Sequence, residues 1–213
     1  MPALYEKYRP LTVADFIGQD KVKRQLSAIL GRAGWDRDAF FLTGPSGLGK
    51  TSLAWIIAKD LGAHDMDVIE LDGDKCSVEA VRQLEYTLNL TSLWGKWKVV
   101  IVNEAHAMTA RAVQAWLTLL ERLPRHRLVI FTTTEPLEAD LFGNFSGPFG
   151  RRCKVFAFTN QGLAQLFAAR AREIADLEGL NGQPPARYLR LVQDTKNNMG
   201  AVLQRIEMGE MMA

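Results

Sequence analysis

Apolar residues recur along this chain with two periods, one of helices and one of strands. Val22, Leu26, Ile29 and Leu30 form a helical stripe over Lys21 to Leu30. A short apolar run, Ala39 to Leu42, is broken by the glycine-rich Gly44 to Thr51, and Ser52 to Leu61 is apolar again and long enough for a helix. Strand, glycine loop, helix is the opening unit of a nucleotide-binding α/β domain. Val68 to Leu71 reads as a second strand, ending in the polar DGDKCS. Lys98 to Val102 is β-branched and unbroken, as a strand buried on both faces should be. Ala110 to Arg122 carries Val113, Trp116, Leu117 and Leu120 on one helical face. Leu128 to Phe131 is a fourth strand, closing on TTTEP, and Val155 to Phe158 is a fifth. Beyond Phe158 the strand period stops. Asn160 to Leu177, Pro185 to Val192 and Met199 to Met208 read as three helices, starting at Thr159/Asn160 and at Pro184-Pro185. The pattern predicts an α/β domain over 1–158 and a small helical domain over 159–213. Phe142 to Gly150 is the only glycine-rich loop without a phosphate motif.

Composition narrows the class. Hydrophobic residues at 47% and charged residues at 23% belong to a globular chain rather than a disordered one. The 26 basic and 24 acidic side chains leave a net charge of +2, too balanced to indicate a nucleic-acid partner. Only local basic positions remain for that role, with Lys75, Arg82 and Arg111 as candidates. Cys76 and Cys153 are too few for a disulfide framework or a four-cysteine zinc site. Three histidines without an HExxH spacing give no metal cluster. The start, MPALYEKYRP, has no apolar h-region and no run reaches membrane-spanning length, so a soluble, cytoplasmic protein with no membrane partner is expected. Trp55 and Trp116 sit at helical spacing and are expected in the core, while Trp94 and Trp97 carry no assignable role.

Gly44-Pro45-Ser46-Gly47-Leu48-Gly49-Lys50-Thr51 fits G-x-x-x-x-G-K-[ST] without a mismatch. Glycines let successive backbone N–H groups turn inward onto phosphate oxygens. Lys50 puts a point charge on the β and γ phosphates, Thr51 offers a hydroxyl to Mg2+, and the following helix points its positive end at the same anions. ATP and Mg2+ are the cofactors this predicts. At the end of the buried strand stand Asn103-Glu104-Ala105-His106. P-loop ATPases carry there an acidic residue for Mg2+ and then a carboxylate that orients the attacking water. Asn103 can accept from a metal-bound water but brings no charge, which leaves Glu104 as the candidate base.

Several motifs in order resemble AAA+ ATPases of the clamp-loader type, the small or motor subunits of replication factor C and their bacterial and phage counterparts. Tyr5-Glu6-Lys7-Tyr8-Arg9-Pro10 followed by Phe16-Ile17-Gly18-Gln19 is similar to the family's opening, which lies beside the adenine. The resemblance thus implies a nucleotide site of Tyr8, Arg9, Pro10, Ile17 and Gly18 with the phosphate loop through Ser52. Thr132-Thr133-Thr134-Glu135-Pro136 resembles the segment whose polar residue touches the γ-phosphate or attacking water, which maps to Thr134, with Thr133 as its rival. Arg151-Arg152-Cys153 resembles the family's Ser-Arg-Cys, whose arginine enters the neighbouring subunit's ATP site, and the match is Arg152. Asn197-Asn198-Met199-Gly200-Ala201 resembles a lid signature, but its arginine falls on Gly200.

The resemblance implies a P-loop AAA+ fold: a parallel five-stranded sheet flanked by helices, plus a three-helix lid. It stops where the family continues into an all-helical collar. The implied catalytic set is Glu104, Lys50, Thr134 and Arg152, with Thr51 and Asn103 toward the metal. The implied partners are other clamp-loader subunits, a sliding clamp, and primer–template DNA held by its backbone. The implied setting is the cytoplasm, nucleoid-associated, or the nucleus in a eukaryote. Two alternatives stay open: a scaffold subunit with little hydrolysis, toward which Asn103 and Gly200 point, and another AAA+ DNA-remodelling ATPase.

Overall fold

A computed structural model describes residues 2–92, 94–135 and 148–212, in which five parallel strands form one sheet. Helices α1 (Leu4–Lys7) and α2 (Asp20–Leu30) precede β1 (Arg37–Thr43), which runs through the glycine loop into α3 (Lys50–Asp60). Then come β2 (Val68–Asp72), α4 (Val78–Asn89), β3 (Lys98–Asn103), α5 (Ala110–Glu121) and β4 (Arg127–Thr133). Helix α6 (Pro148–Arg152) leads into β5 (Lys154–Ala157), and α7 (Leu163–Leu177), α8 (Pro185–Asp194) and α9 (Met199–Glu207) follow.

The strand order is β2-β3-β4-β1-β5. Thr43 is level with Thr133 and Ala157, and Asp72 with Asn103. Because the strands are parallel, the glycine loop, the acidic turn after β3 and the threonines ending β4 all emerge at the C-terminal edge. That edge is where open α/β sheets bind ligands.

Side chains alternate between two apolar clusters, as the period of two requires. Phe40, Leu42, Ile101 and Ile130 pack with α2, α3 and α7 to α9 on one face. Phe41, Val100, Val102 and Phe131 pack with α4, α5 and α6 on the other. There Trp116 sets its ring edge-on to Phe131 at 5.0 Å, and Phe131 meets Phe149 at 4.9 Å. Full burial of one such phenyl ring contributes roughly 1.5–3 kcal/mol. Trp116 is core, as expected, whereas Trp55 is only partly buried. Trp97 gains a role: it stacks on Trp35 at 4.8 Å beside β1 and β3, while Trp94 is exposed. Buried Arg127 donates to the carbonyls of Leu88 (2.6 Å), Leu90 (2.8 Å) and His126 (3.0 Å), closing the C-terminus of α4.

Two helix starts differ by two or three residues from the apolar pattern. Helix α3 begins at Lys50 rather than Ser52, because Gly49 takes a left-handed backbone and opens it inside the phosphate motif. Helix α7 begins at Leu163 rather than Asn160. The side chain of Gln19 bonds both the N–H (3.1 Å) and the carbonyl (2.8 Å) of Thr159, and the Thr159 hydroxyl accepts from Gln161 N. Those groups hold a turn, and Gly162 starts the helix. Pro136 and most of the stretch from Phe142 lie outside the described residues. No helix among the described residues is long and apolar enough to cross a membrane.

Candidate nucleotide-binding site

The loop between β1 and α3 is enclosed by distant segments. Gly47 sits at φ 77°, and a Cβ there would lie 2.2 Å from Asn198 Cγ and 2.6 Å from Asn198 Cα. Asn198 in turn caps α9, its side chain accepting from Ala201 N at 3.1 Å. Lys50 is buried, and its ammonium donates to the carbonyls of Gly44 (2.7 Å) and Pro45 (2.8 Å). Desolvation lowers its pKa from the ordinary lysine value, and the Glu104 carboxylate works against that shift.

A cavity of about 440 Å³ opens between this loop, the N-terminal segment and the last helices. Tyr8, Arg9, Pro10 and Ile17 line it together with Gly47, Leu48, Gly49 and Ser52. Arg9 Nε donates to the Ser52 hydroxyl at 3.1 Å. The Tyr8 hydroxyl donates to Glu178, and the Arg170 guanidinium stands 5.9 Å from its ring centre. The opposite wall contains Phe167, Ile174 and Leu203, which no motif named, with Met199 of the lid signature. Gly200 is also in the lining, where it offers no side chain. Gly18 is not, and packs against Leu163. Gly44, Pro45, Ser46, Lys50 and Thr51 complete the loop without facing the cavity.

At the strand ends the polar residues form two linked groups. In the first, Thr51 and Thr132 both donate to Asn103 Oδ1, at 2.9 and 3.1 Å. The Asn103 amide nitrogen donates to Glu70 Oε1 at 2.5 Å, and Trp55 Nε1 donates to Glu70 Oε2 at 2.8 Å. In the second, the Thr134 hydroxyl donates to Glu104 Oε2 at 3.1 Å. Glu104 Oε2 is also 3.4 Å from His106 Nδ1, which lies 3.0 Å from the Thr133 hydroxyl. Of the two rival threonines, the one touching Glu104 is therefore Thr134. Glu104 holds a left-handed backbone at φ 47°, unusual for a residue with a Cβ. Gly73 sits behind this turn, where a Cβ would come within 2.3 Å of the Glu104 carbonyl.

Arg152 ends α6, away from these groups. Lys154, two residues on, is level with Phe40, four residues before Gly44, or about 13 Å of strand. The Arg152 guanidinium pairs with Glu121 on α5 and holds that carboxyl below the usual range. Lys75 and Arg82 are exposed and pair with Asp72 and Glu79, and Arg111 is exposed on α5. Among the described residues no group of three His, Cys, Asp or Glu side chains could hold a metal.

Glu70 and Gly73 belong to no motif, and Trp55, Thr132 and Asn198 were named without these contacts. Glu70 left one trace, a charge inside the apolar run Val68 to Leu71, but its partner follows only from the β2–β3 register.

The donor set fits ATP with Mg2+. Backbone amides at the start of α3, a buried ammonium and a threonine hydroxyl suit a polyphosphate and a hard cation. The cavity walls of Tyr8, Ile17 and Leu203 suit a flat base. Fold and site together define a P-loop nucleotide-binding domain of the AAA+ class. The family described as the Holliday junction DNA helicase RuvB P-loop domain matches residues 8–121, more than half of the chain, and the chain belongs to it. Among curated proteins, the DNA polymerase III subunit gamma/tau of Mycobacterium tuberculosis (strain ATCC 25618 / H37Rv) is 34% identical over 63% of this chain and 27% of its own length. The DNA polymerase III subunit tau of Bacillus subtilis (strain 168) is 28% identical over 84% of this chain and 34% of its own. The replication factor C small subunit of Halobacterium salinarum is 30% identical over 82% of this chain and 53% of its own. The chain thus spans about a third or less of the polymerase III relatives. The resemblance to clamp-loader AAA+ ATPases holds among these relatives. A solved mutant of Thermotoga maritima RuvB shares the fold at TM-score 0.72 and 21% identity, covering 94% of this chain and 65% of its own.

Proposed function

We propose that this chain is the ATP-binding and ATP-hydrolysing part of a DNA sliding-clamp loader subunit. The observation that carries the reading is the separation of two half-sites. The phosphate loop, Glu104 and Thr134 share the C-terminal edge of the sheet, and Arg152 lies well down β5 from it, against Glu121. Lys50 and Thr51 hold the nucleotide, Glu104 orients water and accepts its proton, Thr134 fixes Glu104, and Arg152 serves the site of a neighbouring copy or subunit. Bound Mg2+ neutralises phosphate charge. A guanidinium suits the trans role because its planar fork meets several phosphate oxygens at once. ATP binding would join subunits around primer–template DNA and open the clamp, and hydrolysis would release both. The division into a core over 1–158 and a lid over 159–213, and cytoplasmic or nuclear work, belong to the same proposal.

Steady-state ATPase measured with clamp and primed DNA tests it. Turnover rises with both ligands, and Glu104→Gln lowers it on the order of 10²-fold or more while nucleotide binding persists. Full turnover in that variant removes Glu104 from its role. A second reading, another AAA+ DNA-remodelling ATPase, is favoured by the RuvB family match. Stimulation by a four-way junction and not by clamp with primed DNA selects it. A scaffold subunit with weak hydrolysis is favoured by Asn103 and Gly200, and there Arg152→Ala lowers a partner's turnover instead of this chain's own.

A further inference from the structure

Asn103 stands where P-loop ATPases carry a carboxylate, yet its amide is not simply a weaker substitute. A carboxylate only accepts hydrogen bonds, so Glu70 Oε1 at 2.5 Å forces the amide's NH2 toward itself. The oxygen of the same amide is then turned to the hydroxyls of Thr51 and Thr132. Once the Thr51 proton is committed to that oxygen, the lone pairs of Thr51 Oγ1 face away from Asn103. Had the amide been reversed, its NH2 would donate to Thr51 and turn the hydroxyl proton outward, toward a cation. The orientation is also locked from behind. Glu70 Oε2 accepts from Trp55 Nε1 at 2.8 Å, and Trp55 lies four residues after Thr51 on the same face of α3. The sheet register supplies the reach: Glu70 is level with Ile101, two residues before Asn103, so both side chains share a face.

We propose that Glu70 is the carboxylate that Asn103 lacks: it orients the amide and supplies the negative charge one hydrogen bond behind Asn103 and two behind the Thr51 hydroxyl that would hold Mg2+. Glu70 is thus a positioning residue. The inference rests on the nucleotide-site reading and deepens it, since a charge missing from one strand is provided by the next.

The test is a titration of free Mg2+ against the affinity of a fluorescent ATP analogue, with a parallel measurement in EDTA. Glu70 is exposed, so Glu70→Gln keeps the core and the shape while removing the charge. It also leaves one acceptor for two donors. The free Mg2+ giving half-maximal affinity is expected to rise about 10–100-fold, the effect typical of losing a partner behind a metal ligand. Affinity in EDTA stays at the parent value, and adding Asn103→Asp to Glu70→Gln returns the Mg2+ midpoint toward the parent. An unchanged midpoint, an equal loss in EDTA, or no rescue by the second substitution overturns the assignment. A parent chain that binds the analogue while Glu70→Gln behaves identically sinks this inference alone. A parent that binds no nucleotide sinks the site reading and this with it.

Discussion

Replacing Gly47 by alanine tests whether the phosphate loop and the last helix are one mechanical unit. The new Cβ would sit 2.2 Å from Asn198 Cγ, 2.4 Å from its Oδ1 and 2.6 Å from its Cα, all inside contact distance. It would also hold alanine at φ 77°, which costs about 1–2 kcal/mol for a residue with a Cβ. Relief requires Asn198 to move, and Asn198 is the cap whose side chain accepts from Ala201 N. Loss of such a cap costs about 1 kcal/mol. Gly47→Ala is therefore expected to lower the unfolding free energy by about 2–3 kcal/mol, read from urea denaturation. Asn198→Ala alone should cost about 1 kcal/mol. In the double variant Cγ and Oδ1 are gone, so the two costs should add to about 1 kcal/mol less than their sum. A Gly47→Ala cost below about 0.5 kcal/mol, or strict additivity, refutes the steric link.

Two further predictions concern the core. Arg127→Met strips the carbonyls of Leu88, Leu90 and His126 of a buried donor, and should destabilise the fold by about 2–4 kcal/mol in the same assay, with a loss under about 0.5 kcal/mol counting against it. Burial pushes the Cys76 thiol from 9.0 up to about 11, so the folded thiol stays neutral while the unfolded one ionises. Its contribution is full below pH about 9 and is lost as pH rises toward about 11, amounting to about 2–3 kcal/mol. Cys76→Ala should flatten the fall in stability over that window, and an unchanged slope contradicts the assignment.

The strands and the phosphate loop were legible because each has a local signature. KVVIV is continuous and β-branched, as a doubly covered parallel strand must be, and the loop motif is a spacing of glycines around Lys50. The start of α7 was not legible, because what holds Thr159 in a turn is the side chain of Gln19, 140 residues away in sequence. Glu70 was hidden for a similar reason. Read along the chain it is a lone charge in a strand, and only the β2–β3 register sets it beside Asn103. Gly73 carries no motif at all, and its constraint comes from the Glu104 carbonyl packed against it. Arg152 was named by resemblance alone, and its distance from the loop follows from β5 starting level with Phe40.

The end of β4 has one more property. Thr132 projects to the side of the sheet that carries α3, and Thr133 projects to the side of α4 and α5. Thr132 meets Asn103, Thr134 just past the strand meets Glu104, and Thr133 meets His106, which also approaches Glu104. One carboxylate is therefore linked to two successive threonines at the end of one strand, to Thr134 directly and to Thr133 through His106. Removing the Glu104 carboxylate would leave the Thr134 hydroxyl and the His106 imidazole without the acceptor they share.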